Sequence, residues 1–194
     1  MRRILVAGTA DTKGEELAWL RDLLRAGGLA AEIVDLGTRA PGIHPDVAAA
    51  EVAACHPEGA GFLRSEDRGI AVAAMGAAFA NWCRQHAADI AGVIAVGGGG
   101  GTSIACAGLR ELPYGVPKLM VSTLASGDTA PYVGISDIVM MPAVTDIAGL
   151  NRLSRVILSS AAHALIGMVR APKPAATDDT PAIGLTMFGV TTPC

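Results

Sequence analysis

Five consecutive glycines are the feature of this sequence that most directly suggests a chemical role. They follow an apolar run, residues 92–96, and precede a threonine and a serine. Bare amides between a strand and a helix bind phosphate, because the N–H groups converge and the helix dipole favours negative charge. No lysine follows, and the spacing is not that of a dinucleotide fingerprint, so neither common nucleotide motif is present. We expect a phosphate-binding loop, with a purely structural tight turn as the alternative. Its residues are Gly97, Gly98, Gly99, Gly100, Gly101, Thr102 and Ser103.

A second polar segment, GTADTKGEE, lies near the N-terminus. It supplies two threonine hydroxyls, a carboxylate and an ammonium group, which the glycine run lacks. The alternative is a helix N-cap at Asp11 or Thr12, with Glu15 or Glu16 completing a capping box, and both roles can hold together. The ligand-binding candidates in this segment are Gly8, Thr9, Asp11, Thr12 and Lys13.

Three further loops carry candidate binding residues. The loop after the fourth predicted strand resembles an anion nest or a flexible lid, with a long surface loop as the alternative. Asp146 is expected at the start of the last helix, either as its cap or as a metal or ribose ligand, and Asn151 in its second turn. Arg39 and Arg68 either reach phosphates or remain solvated. The candidates in these loops are Gly37, Thr38, Ser122, Thr123, Ser126, Gly127, Asp146 and Asn151.

Strand-like runs that alternate with helix-like runs position these loops. The predicted strands are residues 3–8, 30–37, 91–97, 118–123 and 137–143, and the predicted helices are residues 12–28, 45–55, 66–86, 102–112 and 147–169. Such alternation is typical of an α/β fold, here a three-layer, doubly wound, Rossmann-like or flavodoxin-like domain with a mostly parallel five-stranded sheet. A strand order of 2-1-3-4-5 would place the loops after strands one and three at the topological switch point, where ligands bind.

The composition argues against several classes of function. The formal net charge of -3 lacks the basic footprint of nucleic-acid-binding proteins, so no nucleic-acid partner is expected. The longest stretch of apolar and glycine residues, 69–80, falls short of the roughly 18 residues of a membrane helix, and the N-terminus does not resemble a signal peptide. We therefore expect a cytoplasmic protein with no membrane partner. The four cysteines lack metal-ligand spacing and are interpreted as free thiols, so no metal ligand is assigned.

The pattern changes near residue 170. Residues 1–170 are predicted to form the nucleotide-binding α/β domain, and residues 171–181 are rich in Pro, Ala and Asp, which is typical of a linker. Residues 182–194 read as a strand and a turn with no helix after them. We expect them to be the truncated start of a second α/β domain, which would be a partner of the first.

Six segments together resemble the tomato mosaic virus resistance protein family. They are GTADTKGEE, DRGIAVAAM, VIAVGGGGGTSIA, PKLMVSTLASGDTAPYVG, MMPAVTDIAGLNRLSR and GLTMFGVTTPC, in the same order along nearly the whole chain. The resemblance implies a two-domain protein whose N-terminal domain binds ATP. ATP, accompanied by Mg²⁺, is therefore the expected cofactor.

Two functions from different classes follow from these features. One is the ATP-binding half of an enzyme whose substrate lies between two domains. The other is a nucleotide-gated interaction or oligomerisation module without catalysis, and the small-residue-rich composition leaves room for a homo-oligomer. No pair of side chains stands out as nucleophile and base, so no catalytic residue is assigned.

Overall fold

A five-stranded, all-parallel sheet forms the centre of the domain in a computed structural model that describes residues 2–172. The strand order is β2-β1-β3-β4-β5, which confirms the predicted order and the doubly wound α/β fold. The strands are β1 (Arg3–Gly8), β2 (Ala31–Asp35), β3 (Ile90–Gly97), β4 (Lys118–Ser122) and β5 (Val139–Pro142). The predicted second-domain segment, residues 182–194, and all but the first two residues of the predicted linker lie outside the described residues. The division into domains stays a prediction.

Helices cover both faces of the sheet, which gives the three predicted layers. They are α1 (Ala10–Ala26), α2 (Ala49–Ala53), α3 (Arg68–His86), α4 (Gly99–Leu109), α5 (Ala130–Val133) and α6 (Arg152–Arg170), with short 3₁₀ turns at Ala60–Arg64 and Ala87–Asp89. Alternate residues of β1 point to opposite faces, as the two-residue period of a strand requires. Ile4 and Val6 pack with α1 and α6, whereas Leu5 and Ala7 pack with α3 and α4. Among residues 2–172, no helix is long and apolar enough to cross a membrane.

All five predicted helices start at other residues than expected. Helix α2 begins at Ala49 instead of residue 45, and α3 begins at Arg68 instead of residue 66. Helix α1 begins at Ala10, and its N-cap is Thr9, whose side chain makes no capping bond, so the predicted cap at Asp11 or Thr12 is not formed. The carboxylate of Asp35 takes over part of this role, because its Oδ1 accepts the Ala10 N–H at 2.9 Å. Glu16 does not complete a capping box: it is buried and accepts the Gly149 N–H at 2.7 Å.

The last helix also starts later than predicted. Asp146 does not cap it, because Gly149 adopts a φ of 86° that interrupts any helix from residue 147. Asn151 is the N-cap instead, and its side chain accepts the Leu153 and Ser154 N–H groups. Helix α4, by contrast, starts three residues earlier than predicted, at Gly99, so part of the glycine run is helical.

A buried lysine lies at the N-terminal edge of the sheet, opposite the edge formed by the strand C-termini. Lys118, at the start of β4, is fully buried, and its ammonium donates to the carbonyls of Pro113 and Val116 and to Asp137 Oδ1 at 2.6 Å. Burial raises the pKa of Asp137, but the bonds from Lys118 and from the Gly115 N–H outweigh burial and hold that pKa below its ordinary value. All three ammonium protons therefore have acceptors, which makes this lysine structural.

The cysteines partly follow the expectation of buried free thiols. Cys83 and Cys106 are buried, whereas Cys55 is half-buried, and all three are free. Cys194 lies outside the described residues.

Candidate functional site

A cavity of about 410 Å³ lies at the C-terminal edge of the sheet, over the switch point between β1 and β3. We call it the main pocket. Its size is within the range of small-molecule sites. Four segments meet there: the loops after β1, β2 and β3, and the segment that leads into α3. The lining residues are Thr9, Asp11, Thr12, Lys13, Leu36, Thr38, Arg39, Leu63, Arg64, Ser65, Glu66, Arg68, Ala71, Val72, Gly98, Gly99, Gly100, Gly101 and Ile104. The structure thus brings the two principal predicted loops together.

The five glycines divide into two kinds. A Cβ on Gly97 would lie 2.7 Å from the backbone of Gly101 and Thr102, so glycine is needed there for the close approach of β3 to α4. The other four have room for a side chain. For Gly98, Gly99, Gly100 and Gly101 in turn, the atom nearest to an added Cβ lies at 3.7, 3.9, 3.5 and 3.8 Å. None of these residues has a φ in the left-handed region. We call these four residues the glycine cradle: Gly98, Gly99, Gly100 and Gly101.

The glycine cradle forms the N-terminus of α4. Gly98 is the N-cap and carries no side chain, and the Thr102 N–H is the first to donate back, to the Gly98 carbonyl at 2.8 Å. The N–H groups of the first turn of a helix have no intrahelical acceptor. These groups therefore face the main pocket as bare donors, at the positive end of the helix dipole.

Positive side chains also line the main pocket. Arg39, Arg64 and Arg68 are exposed, and the ion pairs found among residues 2–172 involve none of them. Lys13 behaves differently, because its ammonium donates to the Ile147 carbonyl at 2.7 Å and so fastens α1 to the loop before α6. Lys13 keeps two further ammonium protons and its charge, so the lysine and the guanidinium groups are both available to an anion.

Two carboxylates converge beside the loop after β2. Asp35 is fully buried, and its Oδ1 accepts the N–H groups of Ala10 and Gly37 at 2.9 and 2.7 Å. Asp35 Oδ2 and Asp11 Oδ1 are buried atoms without a hydrogen-bond partner in the described part of the chain. Burial raises the pKa of Asp35; the two backbone bonds oppose the shift only in part, and the charge of Asp11 adds to it.

Several predicted binding residues lie away from the main pocket. Thr102 and Ser122 are buried and join their hydroxyls at 2.7 Å between α4 and β4. Thr123, Ser126 and Asp146 line a different cavity. The remaining predicted residues outside the main pocket are Gly8, whose Cβ position is 2.9 Å from Leu17; Gly37, which is packed against the two carboxylates; Gly97, which is packed against α4; Asn151, which caps α6; and Ser103 and Gly127, which are exposed.

Sequence reasoning missed Asp35 and the segment of residues 63–66. Asp35 carried a usable signal, because a carboxylate at the end of an otherwise apolar strand of a parallel sheet lies at the ligand-binding edge. The segment before α3 carried no such signal, because its position over the main pocket depends on how α3 packs on α4.

Comparison with known proteins decides the family. The profile described as the N-terminal domain of the uncharacterised protein family UPF0261 matches residues 2–174. The chain belongs to the UPF0261 family. A UPF0261 protein of Mesorhizobium japonicum is 61% identical over 195 residues, covering 100% of this chain and 49% of the relative. A UPF0261 protein of Clostridium tetani is 44% identical, covering 98% of this chain and 48% of the relative.

The UPF0261 family also connects this chain with plant proteins. The ToMV resistance protein Tm-1(GCR237) of Solanum lycopersicum is 36% identical over 216 residues, covering 99% of this chain and 29% of the relative. This match confirms the family resemblance found in the sequence. The chain spans about half the length of the bacterial relatives described above.

Proposed function

We propose that this UPF0261 domain binds an adenine nucleotide in the main pocket, with the phosphates on the glycine cradle. The observation that carries the proposal is that four glycines line the pocket where folding does not need them. An added Cβ would meet no atom closer than 3.5 Å at any of the four. Glycine nevertheless destabilises a helix by up to about 1 kcal/mol relative to alanine. Glycine at these four positions is explained if a ligand approaches the backbone N–H groups closely, because a side chain there would block that approach.

Charge supports a phosphate ligand. The N–H groups of the first turn of α4 attract anions, and charge-assisted hydrogen bonds to phosphate are stronger than neutral ones. Arg39, Arg64 and Arg68 line the same pocket and offer planar donor groups that match phosphate oxygens. A polyphosphate would reach both the amides and the guanidiniums, which a single carboxylate ligand would not.

The other walls of the main pocket suit a nucleoside and a cation. The half-buried Leu63 and Val72 provide apolar surface for a base. The choice of adenine, and of ATP, rests on the resemblance to the tomato mosaic virus resistance protein family. Asp11 and the hydroxyls of Thr9 and Thr12, which lie 2.8 Å apart, are oxygen ligands that could hold Mg²⁺ beside the glycine cradle, and Glu66 offers a second carboxylate in the lining. Mg²⁺ at nucleotide sites commonly uses one or two carboxylates together with the phosphates.

Binding, rather than turnover, is the function that these residues support. The described residues that line the pocket include no cysteine or histidine, and one proton of the Lys13 ammonium is committed to the Ile147 carbonyl. Catalysis by this chain would need groups from elsewhere in a longer protein, closing over the pocket and excluding water. A nucleotide-dependent interaction module, including a homo-oligomer, needs no such groups.

Calorimetric titration tests the proposal. ATP, ADP, AMP, GTP and tripolyphosphate are titrated into the 194-residue chain, and thermal unfolding is measured at saturating ligand. We expect ATP and ADP to bind more tightly than AMP, because only they span the amides and the arginines. Arg68→Gln should weaken ATP, whereas Arg152→Gln, an exposed arginine at the start of α6, should not. Absence of heat and of any thermal shift with every compound would contradict the proposal.

A further inference from the structure

A second cavity, of about 560 Å³, lies between the C-terminal ends of β4 and β5. Its polar lining comes from the loop after β4, with Thr123 and Ser126, and from the loop after β5, with Thr145 and Asp146. None of these residues lines the main pocket. The predicted binding residues Thr123, Ser126 and Asp146 therefore line a cavity of their own.

The second cavity contains a hydroxyl that lacks a partner. Thr145 Oγ1 is a buried atom with no hydrogen bond to any of residues 2–172. A buried hydroxyl without a partner is costly, so such groups normally bond to water or to a ligand. The backbone of Thr145 is fixed by a tight turn, in which the Thr145 N–H donates to the Ala143 carbonyl at 2.7 Å. The central residue of that turn, Val144, has a φ of 67°, which is rare for a β-branched residue.

The charge of the second cavity is opposite to that of the main pocket. Its described lining residues include no Lys, Arg or His, and Asp146 contributes a carboxylate. Asp146 Oδ1 accepts the Ile147 N–H at 2.9 Å, which leaves the other oxygen available as an acceptor. A cavity lined by hydroxyls and one carboxylate suits a ligand that donates hydrogen bonds, and it disfavours an anion.

The second cavity adjoins the glycine cradle. The hydroxyl Oγ1 of Thr123 lies 3.7 Å from the position that a Cβ on Gly98 would take, and the Thr123 N–H donates to the Gly97 carbonyl at 3.3 Å. Thr123 thus separates the two sites by the width of one residue. A ligand in the second cavity would lie beside whatever occupies the cradle.

We propose that the second cavity binds a small neutral or cationic molecule that presents hydroxyl or ammonium donors to Thr145 and Asp146. Its role as the companion of a bound nucleotide rests on the function proposed above, whereas the binding itself does not. The two sites would then bind ligands of different charge. The main pocket would hold an anion on its amides and arginines, and the second cavity would hold a hydrogen-bond donor on its hydroxyls and its carboxylate.

Amide NMR of the ¹⁵N-labelled 194-residue chain tests this proposal. The probes are 2-amino-1,3-propanediol, glycerol and lactate, which have similar size but differ in charge, and each is titrated without nucleotide. We expect the amino diol and glycerol to shift the amides of Thr123, Ser126, Thr145 and Asp146, with lactate at least fivefold weaker. The ratio of amino diol to glycerol shows whether the ammonium or the hydroxyl is recognised. Equal binding of lactate, shifts confined to other residues or no shifts at all would overturn the proposal.

Two variants and a control localise the effect. Thr145→Val removes the hydroxyl with little change of shape, and Asp146→Asn removes the charge; each should weaken the amino diol at least threefold. Asp128→Asn lies in the loop after β4 but outside the cavity and should leave the titration unchanged. Unaltered binding in both cavity variants would overturn the proposal. If calorimetry shows no ATP binding while the amino diol still shifts these amides, the second site is supported and only its pairing with a nucleotide is overturned.

Discussion

Replacing Gly99 or Gly100 by alanine should stabilise the domain and weaken phosphate binding at the same time. A methyl group fits at both positions, because the nearest atoms are Leu124 Cδ1 at 3.9 Å and Val72 Cγ2 at 3.5 Å. Both residues lie in the first turn of α4, so each change should gain up to about 1 kcal/mol of helix stability. For a domain of this size, that gain corresponds to a rise in Tm of roughly 2–4 °C.

Binding should weaken because the added methyl group limits the access of phosphate to the backbone N–H groups of the glycine cradle. A methyl group on the cradle holds a phosphate oxygen away from at least one N–H, and a charge-assisted hydrogen bond contributes about 1.5–3 kcal/mol. The affinity for ATP should therefore fall by roughly 10- to 100-fold. Differential scanning fluorimetry and calorimetric titration on the same preparations measure both effects.

Gly167→Ala is the matched control. Gly167 lies in α6, is exposed, and has no atom within 4 Å of its Cβ position, so alanine should raise Tm as in the cradle variants. It lies outside the main pocket, so ATP affinity should be unchanged. Folded cradle variants that keep the affinity of the unsubstituted chain would refute the argument and leave the glycines with a structural role only.

Four other predictions concern stability and turnover. Gly97→Ala should cost about 3 kcal/mol in chemical denaturation, because its methyl meets backbone at 2.7 Å; an unchanged midpoint would contradict the close packing. Lys118→Met should cost about 1–3 kcal/mol, because it leaves the Pro113 and Val116 carbonyls without their donor, and it should flatten the acid limb of a pH–Tm curve. The lowered folded-state pKa of Asp137 provides stability above the unfolded pKa of about 3.9, and this is lost as pH falls through the folded value. Asp35→Asn should raise Tm at pH 7, and it should raise Tm less near pH 3.5, which is about the unfolded pKa of an aspartate. The reason is that the raised folded-state pKa of Asp35 lowers the stability of the unsubstituted chain as pH rises. A difference in Tm that does not change with pH would contradict this. The chain alone should not hydrolyse ATP in a phosphate-release assay, and steady turnover that Asp11→Ala abolishes would disprove the binding-only reading.

The sheet and the meeting of its loops could be predicted because they depend on local patterns. Short apolar runs that alternate with helical periodicity specify βα units, and the handedness of such units leaves few strand orders. The order β2-β1-β3-β4-β5 then places the loop of Thr9 opposite the glycine run, as the structure shows. The same reasoning failed for Thr123 and Asp146, because the ends of β4 and β5 lie on the far side of β3 from the main pocket.

The helix starts could not be predicted because local sequence patterns do not decide them. The first N–H of α1 bonds to Asp35, which lies 25 residues away, so no local capping pattern reveals it. The start of α4 at Gly99 contradicts the low helix propensity of glycine, and packing of α4 on α3 and on β3 decides it. Asn151 was expected in the second turn of the last helix. It is the N-cap instead, because Gly149 has a positive φ, and the sequence does not reveal which sign of φ a glycine adopts.

A crystal structure of the domain grown with ATP tests the central claim most directly. The account predicts phosphate oxygens within about 3 Å of the backbone nitrogens of the glycine cradle at the N-terminus of α4. It also predicts at least one guanidinium of Arg39, Arg64 or Arg68 on the same polyphosphate. Phosphates bound elsewhere, or held by arginines alone while the cradle amides contact only solvent, would contradict it.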